Sequence, residues 1–147
     1  MQGAVFSYFP KNMKRTLCLF SALCIFLLAG CGWFDSGTAW RGGHYALAWI
    51  DDPNQTSLYY DLGKGSMIGR IEPCVFAVGW DGRYLVAKQH PNGDKKITNF
   101  FIIDAQQDGR YASLSKVVLG PLTESEFKKK AAGLNLPAFS KELESLK

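Results

Sequence analysis

The stretch IEPCVFAVGWDGRYLVAKQH, residues 71–90, indicates the kind of fold that the chain adopts. It contains two short segments rich in aromatic and β-branched residues, 74–80 and 83–90, with Asp81 and Gly82 between them. Segments of this composition favour β-strands, and an Asp-Gly pair between two of them is a strong signal for a tight turn. The stretch therefore predicts an antiparallel β-hairpin.

Three further segments have the same composition and are predicted to be strands: HYALAWI (44–50), SLYYDL (57–62) and NFFIID (99–104). Short connections between successive strands favour antiparallel neighbours, so we expect the strands to form a meander. The glycine-rich GKGSMIG (63–69) lacks the spacing of a phosphate-binding loop. It is interpreted as a connection between two strands.

The C-terminal part changes from strand patterns to helix patterns. PLTESEFKKKAAGL (121–134) contains a capping box, Thr123 with Glu126 three residues later, ahead of an apolar face. PAFSKELESLK (137–147) begins with proline and has apolar residues at helical spacing, which predicts a second short helix. The predicted fold class is α+β: a small antiparallel β-meander of about five to six strands with one or two C-terminal α-helices.

The N-terminal part has the pattern of an export signal. From Met13 the chain reads MKRTLCLFSALCIFLLAGC (13–31), with two cations, thirteen mostly apolar residues and small residues ahead of Cys31. A membrane-spanning helix needs about 20 apolar residues, and a buried core helix does not explain the cations and the abrupt Gly-Cys-Gly end. The residues LAGC (28–31) resemble the lipobox of bacterial lipoproteins, in which the cysteine thiol takes a diacylglyceryl group before cleavage. We therefore predict that Cys31 is the site of lipid attachment.

This interpretation divides the chain into four parts. They are an upstream extension (1–12), a lipoprotein signal peptide (13–30), a lipid-anchored tether (31–40) and a single globular domain (41–147). Translation is predicted to begin at Met13. The lipid at Cys31 makes the membrane a partner of the chain, and the expected location is the cell envelope. Gly32 stands where inner-membrane retention usually has an aspartate, so in a Gram-negative organism we expect the outer membrane, facing the periplasm.

The net charge of +4 does not indicate a nucleic-acid partner. Three of the seventeen basic residues lie in residues 1–30, which contain no acid, so residues 31–147 carry 14 basic and 13 acidic side chains. A nearly balanced charge gives no reason to expect binding to a phosphate backbone. We therefore expect no nucleic-acid partner.

The sequence indicates no cofactor, no metal site and no catalytic residue. His44 and His90 are the two histidines, which excludes a metal centre built from several histidines. Cys74 is the one cysteine beyond residue 31 and falls in an apolar segment, so we interpret it as a small buried side chain. No G-x-S-x-G or comparable nucleophile motif occurs.

Four short motifs follow one another in a fixed order along the chain. They are Gly-Trp-Asp and Ala-Lys-Gln within residues 71–90, Ile-Ile-Asp within 98–105, and Gly-Pro-Leu-Thr within 120–137. In this order they resemble a family of small bacterial proteins, often lipoproteins, that is catalogued as a domain of unknown function. The resemblance covers about residues 45–137 and implies no reaction. Three polar residues match the family pattern: Lys88, Gln89 and Asp104.

Two classes of function remain open. The first is a non-enzymatic binding or structural protein of the envelope with an unknown protein or glycan partner. Its candidate contact residues are aromatic: Tyr59, Tyr60, Trp80, Tyr84 and Phe101. The alternative is a small envelope hydrolase or an inhibitor-like domain with a polar cluster: Lys88, Gln89, His90 and Asp104. Strand alternation places Gln89 on the face opposite Lys88 and His90, and the enzyme alternative requires a pocket beside His90.

Overall fold

The hairpin predicted around Asp81 and Gly82 is present in the computed structural model, which describes residues 35–147. Its turn is held by the Asp81 carboxylate, which accepts hydrogen bonds from the backbone N–H groups of Arg83 and Tyr84 at 2.8 and 2.7 Å. These two bonds keep the pKa of Asp81 below its usual range. Gly82 has a φ of +99°, which glycine adopts without steric cost.

Three predictions lie outside the described residues, which begin at Asp35. They are the start of translation at Met13, the signal peptide at 13–30 and the lipid attachment at Cys31. Within residues 35–147, no helix is long and apolar enough to cross a membrane.

Nine strands form two antiparallel sheets in the described part of the chain. Sheet A contains four strands that pair in chain order: β1 (Ser36–Gly42), β2 (Tyr45–Ile50), β3 (Ser57–Gly63) and β4 (Ser66–Ile71). Sheet B contains five strands: β5 (Val75–Trp80), β6 (Tyr84–Gln89), β7 (Asn99–Asp104), β8 (Val118–Leu122) and β9 (Lys141–Glu142). Their order is β8-β7-β6-β5-β9. The predicted antiparallel meander is confirmed in outline, because consecutive strands are neighbours in both sheets except at β9.

The predicted count of about five to six strands is too low, because β1, β4, β8 and β9 lie outside the predicted strand segments. β1 includes residues 36–40, so these residues belong to sheet A rather than to the predicted tether. Glycine at position 37 is needed here, because a Cβ at Gly37 would lie 2.6 Å from the ring of Trp49 on β2. β4 occupies much of the segment 63–69, which is therefore not a simple connection.

Both sheets contribute to one hydrophobic core. Its buried side chains come from the two sheets and from a short helix: Tyr45, Leu47, Leu58, Ile71, Val75, Val78, Leu85, Ala87, Phe101, Ile103 and Val117. Along a strand every second side chain points to the same face, and Leu85 and Ala87 on β6 show this spacing. Where the two sheets meet, the Val75 N–H donates to the Thr56 carbonyl at 2.9 Å. The sheets are therefore two layers over one core.

Two short helices follow β7: α1 (Leu114–Val117) and α2 (Glu124–Ala131). The predicted capping box at the start of α2 is confirmed. The Thr123 hydroxyl accepts a hydrogen bond from the Glu126 N–H at 3.3 Å, and the Glu126 carboxylate accepts one from the Thr123 N–H at 2.8 Å. The bonds from Thr123 keep the pKa of Glu126 below its usual range.

The second helix predicted at 137–147 is wrong. This segment runs along β5, where the Ser140 N–H donates to the Val78 carbonyl at 3.0 Å and the Leu143 N–H donates to the Phe76 carbonyl at 2.7 Å. Its apolar side chains join a second, smaller core: Phe76, Ala77, Phe139, Leu143 and Leu146. The edge of β5 supplies backbone partners for the segment, and this pairing overrides the local helical spacing.

Candidate functional site

The three polar residues that match the family pattern do not converge on one site. Lys88 lies on the face of sheet B that points away from the main core. Its Nζ is 4.4 Å from the ring centroid of Phe139 and 3.7 Å from Oε1 of Glu142. A cation between an aromatic face and a carboxylate holds the C-terminal segment against the sheet.

Gln89 and Asp104 also have local partners. Gln89 is buried on the face opposite Lys88, as strand alternation predicts, and its amide donates to the carbonyl oxygens of Glu72 and Pro73 at 3.1 Å each. Asp104, at the end of β7, lies 3.8 Å from the guanidinium of Arg83. The polar cluster expected for a hydrolase is therefore not assembled from these residues.

A cavity of about 220 Å³ lies beside His90. The pocket that the enzyme alternative requires is therefore present, although Lys88, Gln89 and Asp104 are not among its lining residues. The lining comes from four separate parts of the chain: Asn54, Gln55, Cys74, His90, Gly93, Lys95, Ser145 and Leu146.

The imidazole of His90 is held in one orientation. It is 5% exposed and stacks on Phe76 with ring centroids 4.2 Å apart. Its Nδ1 lies 2.8 Å from the carbonyl oxygen of Ile97. Because a carbonyl oxygen only accepts hydrogen bonds, Nδ1 carries the proton, and in the neutral ring Nε2 presents a lone pair. Within the described residues no group forms a hydrogen bond with Nε2.

Cys74 lies opposite His90 across the β5–β6 pair. The predicted burial of its side chain is confirmed, and its φ of +70° is uncommon for a residue that has a Cβ. In the part of the chain that the structure describes, the Cys74 thiol makes no hydrogen bond to Nε2 of His90. The pair is therefore not arranged as a nucleophile already activated by its base.

The sequence does not reveal a buried polar network around Asp108. Arg70 and Asp108 form an ion pair with side chains that are 3% and 0% exposed, and Nη2 is 2.7 Å from Oδ1. The Tyr45 hydroxyl donates to Oδ2 of Asp108 at 2.9 Å, and Arg70 also donates to the Gly109 carbonyl at 2.9 Å. The one available signal is the Asp108-Gly109 pair, which marks a turn but does not identify a partner 38 residues away.

Burial and the hydrogen bond to Asp108 raise the pKa of Tyr45 far above its ordinary value. The folded protein therefore keeps the phenol proton at a pH where the unfolded chain, with a tyrosine pKa near 10, loses it. Because the unfolded state then binds fewer protons, this residue makes the free energy of unfolding fall by about 1.4 kcal/mol per pH unit above about pH 10.

Tyr45→Phe is expected to remove this slope in urea unfolding at pH values from about 9 to 11.5. Tyr111→Phe, at a side chain that is 91% exposed, should keep the slope of the free energy of unfolding against pH. Equal slopes in the two variants would contradict a raised pKa of Tyr45.

A groove of about 450 Å³ lies on sheet A near the start of β1. Its lining residues are all uncharged: Ser36, Gly37, Thr38, Ala48, Trp49, Ile50, Tyr59, Gly65 and Met67. Of the five aromatic residues considered as contact residues, Tyr59 lines this groove.

The other four aromatic candidates contact the rest of the domain. Phe101 is buried in the main core, and Tyr60 and Trp80 pack against that core through Tyr45. Tyr84 lies under the guanidinium of Arg83, 4.8 Å from ring centroid to Cζ. Tyr59 is therefore the candidate that lines the groove on sheet A, and Tyr60 lines a separate pocket of about 330 Å³ beside His44.

Comparison with known proteins identifies the family of the chain. Neither the curated proteins nor the solved structures provide a match. A family model described as "Protein of unknown function (DUF3997)" matches residues 42–147, which is nearly all of the described part. The expected membership in a family of unknown function is confirmed. The chain belongs to the DUF3997 family of proteins of unknown function.

Proposed function

We propose that the chain is a lipid-anchored protein of the bacterial cell envelope that binds a glycan and catalyses no reaction. The main support for a lipid anchor is LAGC at residues 28–31, at the end of a run of thirteen mostly apolar residues. Small residues before a cysteine fit the cleft of a peptidase, and a thiol takes a diacylglyceryl group as a thioether. These residues lie outside the described part of the structure, so support for the anchor comes from the sequence.

Acyl chains on Cys31 would keep the folded domain close to a bilayer. Each buried methylene contributes about 0.8 kcal/mol, so two or three chains hold a protein far more firmly than one. Four residues separate Cys31 from Ser36, the first residue of β1. At about 3.4 Å per residue, the domain begins within about 17 Å of the acylated residue. With Gly32 after the cysteine, the membrane in a Gram-negative organism is the outer membrane, on its periplasmic side.

The groove on sheet A is the surface that suits a glycan. Its nine lining residues carry no charge, so nothing in it favours a nucleic acid or another strongly charged ligand. Trp49 and Tyr59 provide aromatic surface for sugar rings, and Ser36 and Thr38 provide hydroxyl groups that donate and accept hydrogen bonds. Uncharged glycan strands are abundant in the envelope, where the proposed anchor would hold this groove.

Cys31→Ser is expected to abolish labelling of the protein by radioactive palmitate. Serine has no thiol to form the thioether, so the acylated mature form is not made. Cys74→Ser is the matched control, because the Cys74 thiol is buried in the folded domain and should not affect acylation. Labelling that persists in Cys31→Ser would refute the proposed attachment site.

Tyr59→Ala is expected to weaken binding to purified peptidoglycan by about fivefold to tenfold, because an aromatic contact residue is commonly worth more than 1 kcal/mol. Co-sedimentation of the detergent-solubilised protein with sacculi measures this binding. Tyr111→Ala removes a side chain that is 91% exposed and is not among the groove residues, so it should bind like the wild type. If the wild-type protein stays in the supernatant, the proposal that the groove binds a glycan is contradicted. A protein crosslinked to the groove would then be the partner instead of a glycan.

A further inference from the structure

The cavity beside His90 brings together two side chains that bind metals and that the proposed function does not use. Val75 pairs with Gln89 in the β5–β6 ladder. Cys74 and His90 follow as the next pair, in which the His90 N–H donates to the Cys74 carbonyl at 3.0 Å. This bond places the two residues opposite each other. Both side chains are also among those that line the cavity.

The second observation is the state of the His90 ring. The bond from Nδ1 to the Ile97 carbonyl places the proton on Nδ1, so Nε2 has a free lone pair in the neutral ring. This atom is buried, and among residues 35–147 it has no hydrogen-bond partner. Unpaired buried polar atoms are rare in folded proteins, and a bound ion is one of the few reasons for them.

We propose that Cys74 and His90 form a two-donor site for a Cu(I) ion, with Sγ and Nε2 as its ligands. Thiolate sulfur is a soft donor that selects Cu(I), and imidazole nitrogen also suits copper. When the ion binds, the S–H bond of Cys74 breaks, a sulfur–copper bond forms and one proton leaves to the solvent. The oxidation state of the metal does not change, so the step needs no other reactant.

A single ion in the cavity can have both residues as ligands. Zinc, a metal of similar size, binds thiolate sulfur at about 2.3 Å and imidazole nitrogen at about 2.0 Å. One ion therefore connects donor atoms that are about 4 Å apart. Cys74 and His90 line one cavity of about 220 Å³, so an ion held in it can contact both side chains.

Charge favours a monovalent ion at this place. Cu⁺, one thiolate and one neutral imidazole form a neutral unit, so the buried side chains of Cys74 and His90 would carry no unpaired charge. Zn²⁺ would leave one net positive charge close to Lys95, which lines the same cavity. A closed zinc site needs four ligands, and residues 35–147 contain no group of three or more histidine, cysteine or acidic side chains placed to hold a metal.

Anaerobic titration with Cu(I) against a chromophoric Cu(I) chelator tests the site. The protein is the full chain in detergent with three substitutions that leave Cys74 as its one thiol: Cys18→Ser, Cys24→Ser and Cys31→Ser. This background cannot be acylated, so the outcome is independent of the proposed anchor. We expect it to take one Cu(I) per chain from the chelator. Adding Cys74→Ser should weaken binding by more than about 100-fold, because loss of an outer-shell partner already costs about 10–100-fold.

His90→Asn is the sharper variant. Its side-chain amide can still donate to the Ile97 carbonyl in place of Nδ1, but it has no atom at the position of Nε2. We expect it to stay folded by near-ultraviolet circular dichroism and to lose Cu(I) as Cys74→Ser does, whereas His44→Asn should bind normally. Unchanged binding in His90→Asn would overturn the proposal. X-ray absorption of the copper-loaded background should show one sulfur and one nitrogen neighbour, and a spectrum without nitrogen would also overturn it.

Discussion

Arg70→Met is expected to lower the free energy of unfolding by about 3–5 kcal/mol, because it leaves a buried carboxylate without its cation. The Asp108 side chain that remains is 0% exposed and cannot turn to water. Tyr45 still donates one hydrogen bond to it at 2.9 Å, but a neutral hydroxyl does not replace a bidentate guanidinium. Urea unfolding followed by tryptophan fluorescence measures the loss.

Arg41→Met is the matched control for this prediction. Arg41 pairs with Asp61 at the same 2.7 Å distance, but 54% of the arginine side chain is exposed. Such surface pairs contribute about 0–1 kcal/mol. Equal losses in the two variants would contradict a buried network. The double variant Arg70→Met, Asp108→Leu should recover much of the stability, because it removes both buried charges.

Phe100→Ala is expected to cost about 3–5 kcal/mol, the usual range for truncation of a buried phenylalanine. The Phe100 ring lies between sheet B and the C-terminal part of the chain, with centroid distances of 5.1 Å to Phe127 and 6.4 Å to Phe139. Lys88 also approaches this ring, with its Nζ 5.9 Å from the centroid. Loss of the ring removes the contacts that hold α2 and the segment after it against β7.

Urea unfolding and hydrogen exchange together check this second prediction. The amides of Phe127 and Leu143 should exchange faster in Phe100→Ala, whereas the amide of Leu85 in the main core should change less. Leu119→Ala on the neighbouring strand β8 is the control, because Leu119 is 40% exposed and its truncation should cost about 1 kcal/mol or less. A loss in Phe100→Ala no larger than in the control would mean that α2 is not anchored by this ring.

The parts of the fold that the sequence predicts are those with local signals. The Asp81-Gly82 turn and the capping box of Thr123 and Glu126 each involve neighbouring residues, and both are present. β1 and β9 owe their extended conformation to a partner strand. Gly37, for example, makes room for the ring of Trp49 on β2. Local composition does not carry that information.

The candidate sites show the same limit. Two of the residues that match the family pattern, Lys88 and Gln89, are recognisable in sequence. Their contacts are with Phe139, Glu72 and Pro73, which no motif connects to them. The cavity depends on a register shift in β5. Ala77 pairs with Lys88 and Val75 with Gln89, so the intervening Phe76 is the extra residue of a bulge. That shift by one residue brings Cys74 opposite His90, and a regular hairpin would place Pro91 there instead.

Lipid attachment at Cys31 makes one strict prediction about the mature protein. The intact mass of the protein purified from membranes of cells that express the natural sequence should correspond to residues 31–147 plus a diacylglyceryl group and any further acyl chain on the new amino terminus. A mass that corresponds to a chain beginning at Met1 or Met13, with Cys31 unmodified, would contradict the lipid anchor.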